Sequence, residues 1–197
     1  GMNQLSARPD CTKEKRAEYT REIDQAGRQL LRLINDILDL SCMEQGQLSL
    51  EKHEFDLCQA LSDHVAPFQA QAQQQNKPFT FRMDVEYPMV LGDKDRLAQI
   101  MDNLLSNALK YTLPGDSISV TLSQAGADNK NYLFVVADTG IGMSQEFLKR
   151  LYDPYARERR FGANSVAGSG LGLTIVKNLV SQKGGDISVE SAPGKGT

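Results

Sequence analysis

At 197 residues, with 40% hydrophobic and 24% charged side chains and a net charge of −3, the chain has room for one large domain or a small domain plus an appendage. Mild acidity gives no footing for nucleic acid or other polyanions, so no nucleic-acid partner is expected. No apolar run approaches the roughly 20 residues of a membrane span and no signal peptide opens the chain. Cys11, Cys42 and Cys58 are odd in number and widely spaced, which favours a reducing compartment, no metal cage and a cytoplasmic address.

Gly1 ahead of Met2 reads as a scar of tag cleavage, so the chain is expected to be a piece of a longer parent, one that could itself be membrane-anchored. No membrane contact is expected of the piece. Residues 1–12 are expected to be disordered or extended. Across 13–45, Tyr19, Ile23, Ala26, Leu30, Leu33, Ile37 and Leu40 step alternately by four and three, a heptad seam along one long helix. A helix packed on its own domain is the competing reading. Residues 46–54 form a linker that ends in the alternating LSLEKHEF run, a short strand.

From 55 to 197 one domain is expected. It takes a helix over 57–75, strands near 79–83 and 89–91, a helix over 95–112 with Asp95 as N-cap, then strands near 117–123 and 132–137. AGADNKN between the last two strands reads as a hairpin loop. Residues 153–167 are polar, charged and aperiodic, as a functional lid or a disordered loop would be. A helix over 170–182 and a strand near 187–190 follow. The fold class is α+β: a two-layer sandwich with a mixed, mainly antiparallel sheet and helices on one face, preceded by the long heptad helix.

Chemistry concentrates on the 95–112 helix. Leu97, Ile100, Met101, Leu104, Leu105 and Ala108 form its apolar face, and beside them runs a stripe of Gln99, Asn103, Asn107 and Lys110 spanning roughly 80° of arc. Amide oxygens can ligate a hard cation without adding charge, and a lysine can meet phosphate; a plain solvated face is the alternative. DTGIGM, from Asp138, follows an apolar strand, and Gly140 and Gly142 let its backbone approach a flat ligand. A turn-forming Asp before Thr-Gly is the competing reading there. GSGLGL, from Gly168, feeds a helix N-terminus, where free N–H groups and the helix dipole favour an anion. GKGT at the end is no Walker loop, because Gly196 stands where Ser or Thr is required.

In this order, Asn103-x-x-x-Asn107 with Lys110 and Tyr111, Asp138-x-Gly140-x-Gly142, Gly168-x-Gly170-x-Gly172 and Gly194-x-Gly196-Thr197 resemble the ATP-binding domain of sensor histidine kinases. That domain belongs to the superfamily shared with gyrase, Hsp90 and MutL, and has the Bergerat-type ATP-binding fold. FLKRLYDPYAR looks like the family's phenylalanine box, and LLRLINDILDLSCMEQGQLSLE looks like the second helix of its dimerisation hairpin with the linker after it.

The resemblance implies ATP and Mg²⁺ as ligands. Asn107 would supply an amide oxygen to Mg²⁺, with Asn103 and Lys110 toward the phosphates and Asp138 accepting from the adenine amine. Tyr111, Gly140, Gly142, Gly168, Gly170, Leu171, Gly172 and Thr197 would complete the nucleotide site, with Arg157, Arg159 and Arg160 of the lid as mobile assistants. The partners implied are a dimerisation hairpin carrying the phosphoacceptor histidine, a response regulator receiver domain, and a second copy of the parent in a homodimer. The acceptor itself is missing, since His53 lacks the basic residue, small polar residue and proline that follow it in the family, and His64 lies on the 57–75 helix.

Two other classes compete with a histidine kinase core: an ATP-hydrolysing clamp, and a nucleotide-binding regulator. The clamps carry a glutamate four residues before the metal-binding asparagine as base for water, and here Asn103 stands there. Complete boxes argue against a degenerate regulator. In the family the GKGT box leads into a final strand, so the parent is expected to continue with one, or this piece to be less stable than a longer one.

Overall fold

The computed structural model describes residues 12–45, 51–126, 131–158 and 168–197. The chain divides into two compact units, Gly1–Leu48 and Ser49–Thr197. The first is built on α1 (Lys13–Glu44), whose N-cap Thr12 accepts the Lys15 N–H through Oγ1 at 3.3 Å. Gly27 lies within the helix without breaking it, and Gln45 closes it. Its apolar surface is wider than the heptad seam: Leu30, Leu31, Ile34, Ile37 and Leu38 are all exposed.

In the second unit β1 (His53–Asp56) pairs antiparallel with β3 (Met89–Gly92), His53 opposite Gly92. Asp56 then caps α2 (Leu57–Gln74), accepting the Gln59 N–H at 2.9 Å. A second sheet runs in the order β2 (Phe79–Asp84), β4 (Ile118–Ala125), β5 (Asn131–Asp138), with β2 parallel and β5 antiparallel to β4. The period-two pattern of β4 points Ile118, Val120 and Leu122 inward, all buried, onto Leu61, Val65 and Ala72 of α2 and Met101 and Leu105 of α3 (Lys94–Lys110). After the single turn α4 (Gln145–Leu148), α5 (Gly172–Gln182) packs against α3 and buries Ile175, Val176 and Leu179.

The α+β class with a mixed sheet holds, but three details differ. The antiparallel pairings fall into two small sheets instead of one. Asp93, not Asp95, caps α3: its Oδ1 accepts the Arg96 N–H at 3.0 Å, and Asp95 sits in the first turn where it opposes the helix dipole's positive end. Residues 187–190 keep an alternating exposure pattern but form no strand, and the Ile187 N–H is spent locally on Asp186 Oδ1 at 2.9 Å. Residues 1–11 of the 1–12 segment expected to be disordered or extended, residues 46–50 of the expected linker, the hairpin tip 127–130 and the lid segment 159–167, with Cys11, Arg159 and Arg160, lie outside the described residues. Cys42 and Cys58 are free thiols, and among the described residues no helix is long and apolar enough to cross a membrane.

Candidate functional site

The stripe on α3 meets the glycine segments directly. Gly172 lies against Asn103 Oδ1, and Gly168 against Lys110 Nζ, so closely that a methyl group at either position would overlap those atoms. Asn103 keeps its amide in place by donating Nδ2–H to the Gln99 carbonyl at 2.9 Å. Lys110 Nζ stands 5.0 Å from the Tyr111 ring centroid, and Tyr111 is partly exposed as the C-cap of α3. Asn107, half-buried on the same stripe, makes no side-chain hydrogen bond to the described protein groups, so its amide oxygen remains open to a ligand.

At the C-terminal end of α3 the DTGIG segment closes on the same helix. The Ile141 N–H donates to the Tyr111 carbonyl at 3.1 Å, and Gly140 packs against that carbonyl. Asp138 ends β5, accepts the Gly140 N–H on Oδ1 at 2.8 Å, and exchanges two backbone hydrogen bonds with Thr197, at 2.8 and 3.2 Å. Burial pushes the Asp138 carboxyl above the usual carboxylate range; N–H groups of Gly140 and Thr197 oppose the rise, and the nearby Asp116 charge adds to it. A half-buried carboxylate with a spare oxygen at a strand end can accept a hydrogen bond from a ligand amine.

Not every expected residue faces the same space. Leu171 is fully buried, and its N–H is taken by Ser169 Oγ at 3.2 Å, so it packs the base of α5. Gly170 has φ +73°, a conformation that suits glycine, and its carbonyl accepts the Tyr155 N–H at 3.1 Å. Tyr155 itself takes φ +62°, unusual for a bulky residue, which marks that clasp as held by its surroundings. Arg157 is exposed, and Gly142 packs on the Ala192 carbonyl, away from α3. His53 is exposed on β1, and His64 Nε2 sits 2.8 Å from Asp102 Oδ1.

Sequence reasoning passed over Ser191. Its Oγ accepts the Met143 N–H at 2.8 Å, donates to the Gly196 carbonyl at 2.7 Å, and lies 3.0 Å from Thr197 Oγ1, tying the DTGIGM and GKGT boxes together. The only hint was its place just before the Pro-Gly turn. No group of three His, Cys, Asp or Glu side chains that could cage a metal occurs among the described residues.

A family model described as histidine kinase-, DNA gyrase B-, and HSP90-like ATPase matches residues 92–197. The autoinducer 2 sensor kinase/phosphatase LuxQ of Vibrio parahaemolyticus is 35% identical over 186 residues, which cover 91% of this chain and 22% of that protein. The sensor histidine kinase GacS of Pseudomonas protegens is 32% identical over 199 residues, covering 100% of this chain and 22% of GacS. The crystal structure of full-length ShkA in complex with AMPPNP aligns with a TM-score of 0.76 at 27% identity, over 99% of this chain and 40% of that one. The chain thus spans about a fifth of the length of the curated relatives it matches.

Proposed function

The chain belongs to the histidine kinase-, DNA gyrase B- and HSP90-like ATPase family, and from that premise we propose that Ser49–Thr197 is the ATP-binding catalytic core of a sensor histidine kinase. The observation that carries this reading is the way α3 serves as a common wall. Asn103 meets Gly172, Lys110 meets Gly168 and Tyr111 meets Gly140, so segments far apart in sequence open on one helix. On this reading α1 is the second helix of a dimerisation hairpin, 46–54 is the linker, and the parent is a homodimer whose cytoplasmic partner is a receiver domain.

Each residue has a chemical task. Asp138 accepts from the adenine amine, which excludes guanine because a carbonyl would face the carboxylate. Lys110, Asn103 and the N–H groups at Gly170 and Gly172 meet the phosphates, with Arg157, Tyr111, Gly140, Gly142, Gly168 and Thr197 shaping the rim. Leu171 acts from the core beneath them. Asn107, with its uncommitted amide oxygen, would hold Mg²⁺ beside the substrate's own phosphate oxygens, and the ion would neutralise charge there.

The reaction needs positioning more than covalent help from this unit. An imidazole nitrogen of the hairpin histidine attacks the γ-phosphorus; the bond to the β,γ-bridging oxygen breaks, an N–P bond forms, and ADP leaves with the electron pair. The phosphoryl group then passes to a receiver aspartate. Asn103, where a hydrolysing clamp would carry a glutamate, spends its amide on Gln99 and offers no base for water.

Mixing the protein with γ-labelled ATP, Mg²⁺ and a separately made dimerisation hairpin tests this. Acid-labile label on the hairpin, with none on the chain itself, is the expected result. Label on His53, or phosphate release with no labelled hairpin, would contradict it.

A further inference from the structure

Lys77 is 6% exposed, an unusual place for an ammonium group. It follows α2, in a turn where Asn76 adopts φ +56° and the Lys77 N–H returns to the Ala72 carbonyl at 2.9 Å. Its Nζ donates to the Leu109 carbonyl at 2.6 Å. That carbonyl belongs to the last turn of α3, where no further helical N–H exists to take it and where the dipole is negative. Thr112 Oγ1 reaches the same oxygen only at 3.3 Å, its main partner being the Ala108 carbonyl at 2.7 Å. Burial pushes the Lys77 ammonium below the ordinary lysine range, opposed by the Asp116 carboxylate, so the site holds a partly desolvated cation against a helix end.

The consequence lies two residues further on. The Tyr111 carbonyl accepts the Ile141 N–H and walls Gly140, so the end of α3 sets where the DTGIG loop stands. Lys110, between Leu109 and Tyr111, reaches Gly168 from the same turn. The Asn76 carbonyl also accepts the Gly115 N–H at 2.9 Å, and the Pro78 carbonyl the Ile118 N–H at 2.8 Å. The 76–78 turn therefore grips both the exit of α3 and the start of β4.

We propose that Lys77 is a positioning residue for nucleotide binding, which acts by fastening the last turn of α3 and, through the Tyr111 carbonyl, the DTGIG loop. This rests on the nucleotide-binding reading of the unit. Lys77 touches no ligand itself; its ammonium takes the place of the N–H that a longer helix would have supplied. A cation serves here because it satisfies the carbonyl and the dipole together.

The test compares Lys77→Met with Val65→Ala, a core deletion in the middle of α2 that leaves the Lys77–Leu109 hydrogen bond in place. Both are titrated calorimetrically with Mg-AMPPNP well below their melting temperatures, and the Tyr111 and Ile141 amide signals are followed by NMR. Lys77→Met should weaken binding by three- to tenfold and shift both amides. Val65→Ala should lose stability while keeping the wild-type Kd within about twofold and those amides in place. If Lys77→Met does not fold, Lys77→Gln, too short to reach Leu109, takes its part with the same expected split. A folded Lys77 variant with wild-type affinity, or equal losses in the Val65→Ala protein, overturns the proposal. A wild-type protein that fails to bind Mg-AMPPNP would instead overturn the proposed function, and this inference with it.

Discussion

Two amphipathic helices meet opposite fates in this molecule. α3 puts Ile100, Met101, Leu105, Ala108 and Leu109 into the core and spends its remaining face on amides and a lysine. α1, nearly twice as long, leaves Leu30 58%, Leu31 62% and Leu38 57% exposed. Apolar periodicity alone does not distinguish them, since each carries a face at three- and four-residue steps. What separates them is whether the covering surface is present among the described residues. Five large aliphatic side chains on α1 stay exposed, whereas the polar stripe of α3 stands beside a face already packed in the core.

The largest expected effect sharpens that contrast. Leu105→Ala in α3 should cost about 2–5 kcal/mol in denaturant unfolding, because Leu105 is 1% exposed and its cavity cannot refill. Leu31→Ala in α1 should change the same transition by no more than about 0.5 kcal/mol. Equal losses would mean that α1 is part of the same cooperative core.

Function should separate from stability at Asp138. Asp138→Asn should weaken Mg-AMPPNP binding by about 1–3 kcal/mol in calorimetry, through loss of a ligand hydrogen bond. Its melting temperature should hold or rise above neutral pH. The sign follows from the raised carboxyl: burial penalises the ionised form, so wild-type stability falls as pH rises from the ordinary carboxylate range through the higher folded value. Asn keeps the acceptor for Gly140 and carries no such penalty. A variant that binds as tightly as wild type would remove Asp138 from the site.

The N-caps of α1 and α3 give a smaller comparison. Asp93 is buried and accepts N–H groups from Arg96 and from Glu51 at 3.1 Å, whereas Thr12 is exposed and accepts the Lys15 N–H at 3.3 Å. Asp93→Ala should cost about 1–2 kcal/mol, and Thr12→Ala about 0.5 kcal/mol, in thermal unfolding of the respective helices. Burial raises the Asp93 carboxyl, but the Arg96 and Glu51 N–H groups with Lys183 outweigh it and hold it below its ordinary value. Its stabilisation is therefore complete above the ordinary carboxylate range and is lost as pH falls through the lower folded value. An Asp93→Ala penalty that vanished already at neutral pH would contradict this.

The smallest effect on stability should come from charging α1. Leu31→Glu with Leu38→Glu should leave unfolding within about 0.5 kcal/mol yet abolish concentration-dependent mass in sedimentation. Unchanged association would place the docking surface elsewhere.

Much of this was legible because period and punctuation agreed. The strands β2 to β5 and helices α2, α3 and α5 fall within a few residues of their sequence-based positions, since Asp56, Pro78 and the 113–116 turn mark their ends. The Asp93 cap was less legible because Asp95 offers the same side chain two residues later; only backbone geometry tells which carboxylate meets Arg96. The 187–190 strand failed for the reason that alternation reports two faces, not the presence of a pairing neighbour. At the site, motifs pointed to glycines and amides. They could not show that Leu171 packs inward or that Ser191 and Lys77 brace the boxes from behind, because those roles depend on distances between segments about 30 to 50 residues apart.

On the proposed function, the open amide of Asn107 on α3, among the gathered glycine segments, makes a Mg-nucleotide site. Calorimetric titration of the wild-type chain and Asn107→Ala with AMPPNP, with and without Mg²⁺, tests it most directly. The wild type should show one saturable site per chain that depends on Mg²⁺, and Asn107→Ala should lose that Mg²⁺ dependence. No binding by the wild type, or identical Mg²⁺-dependent binding by both proteins, would contradict it.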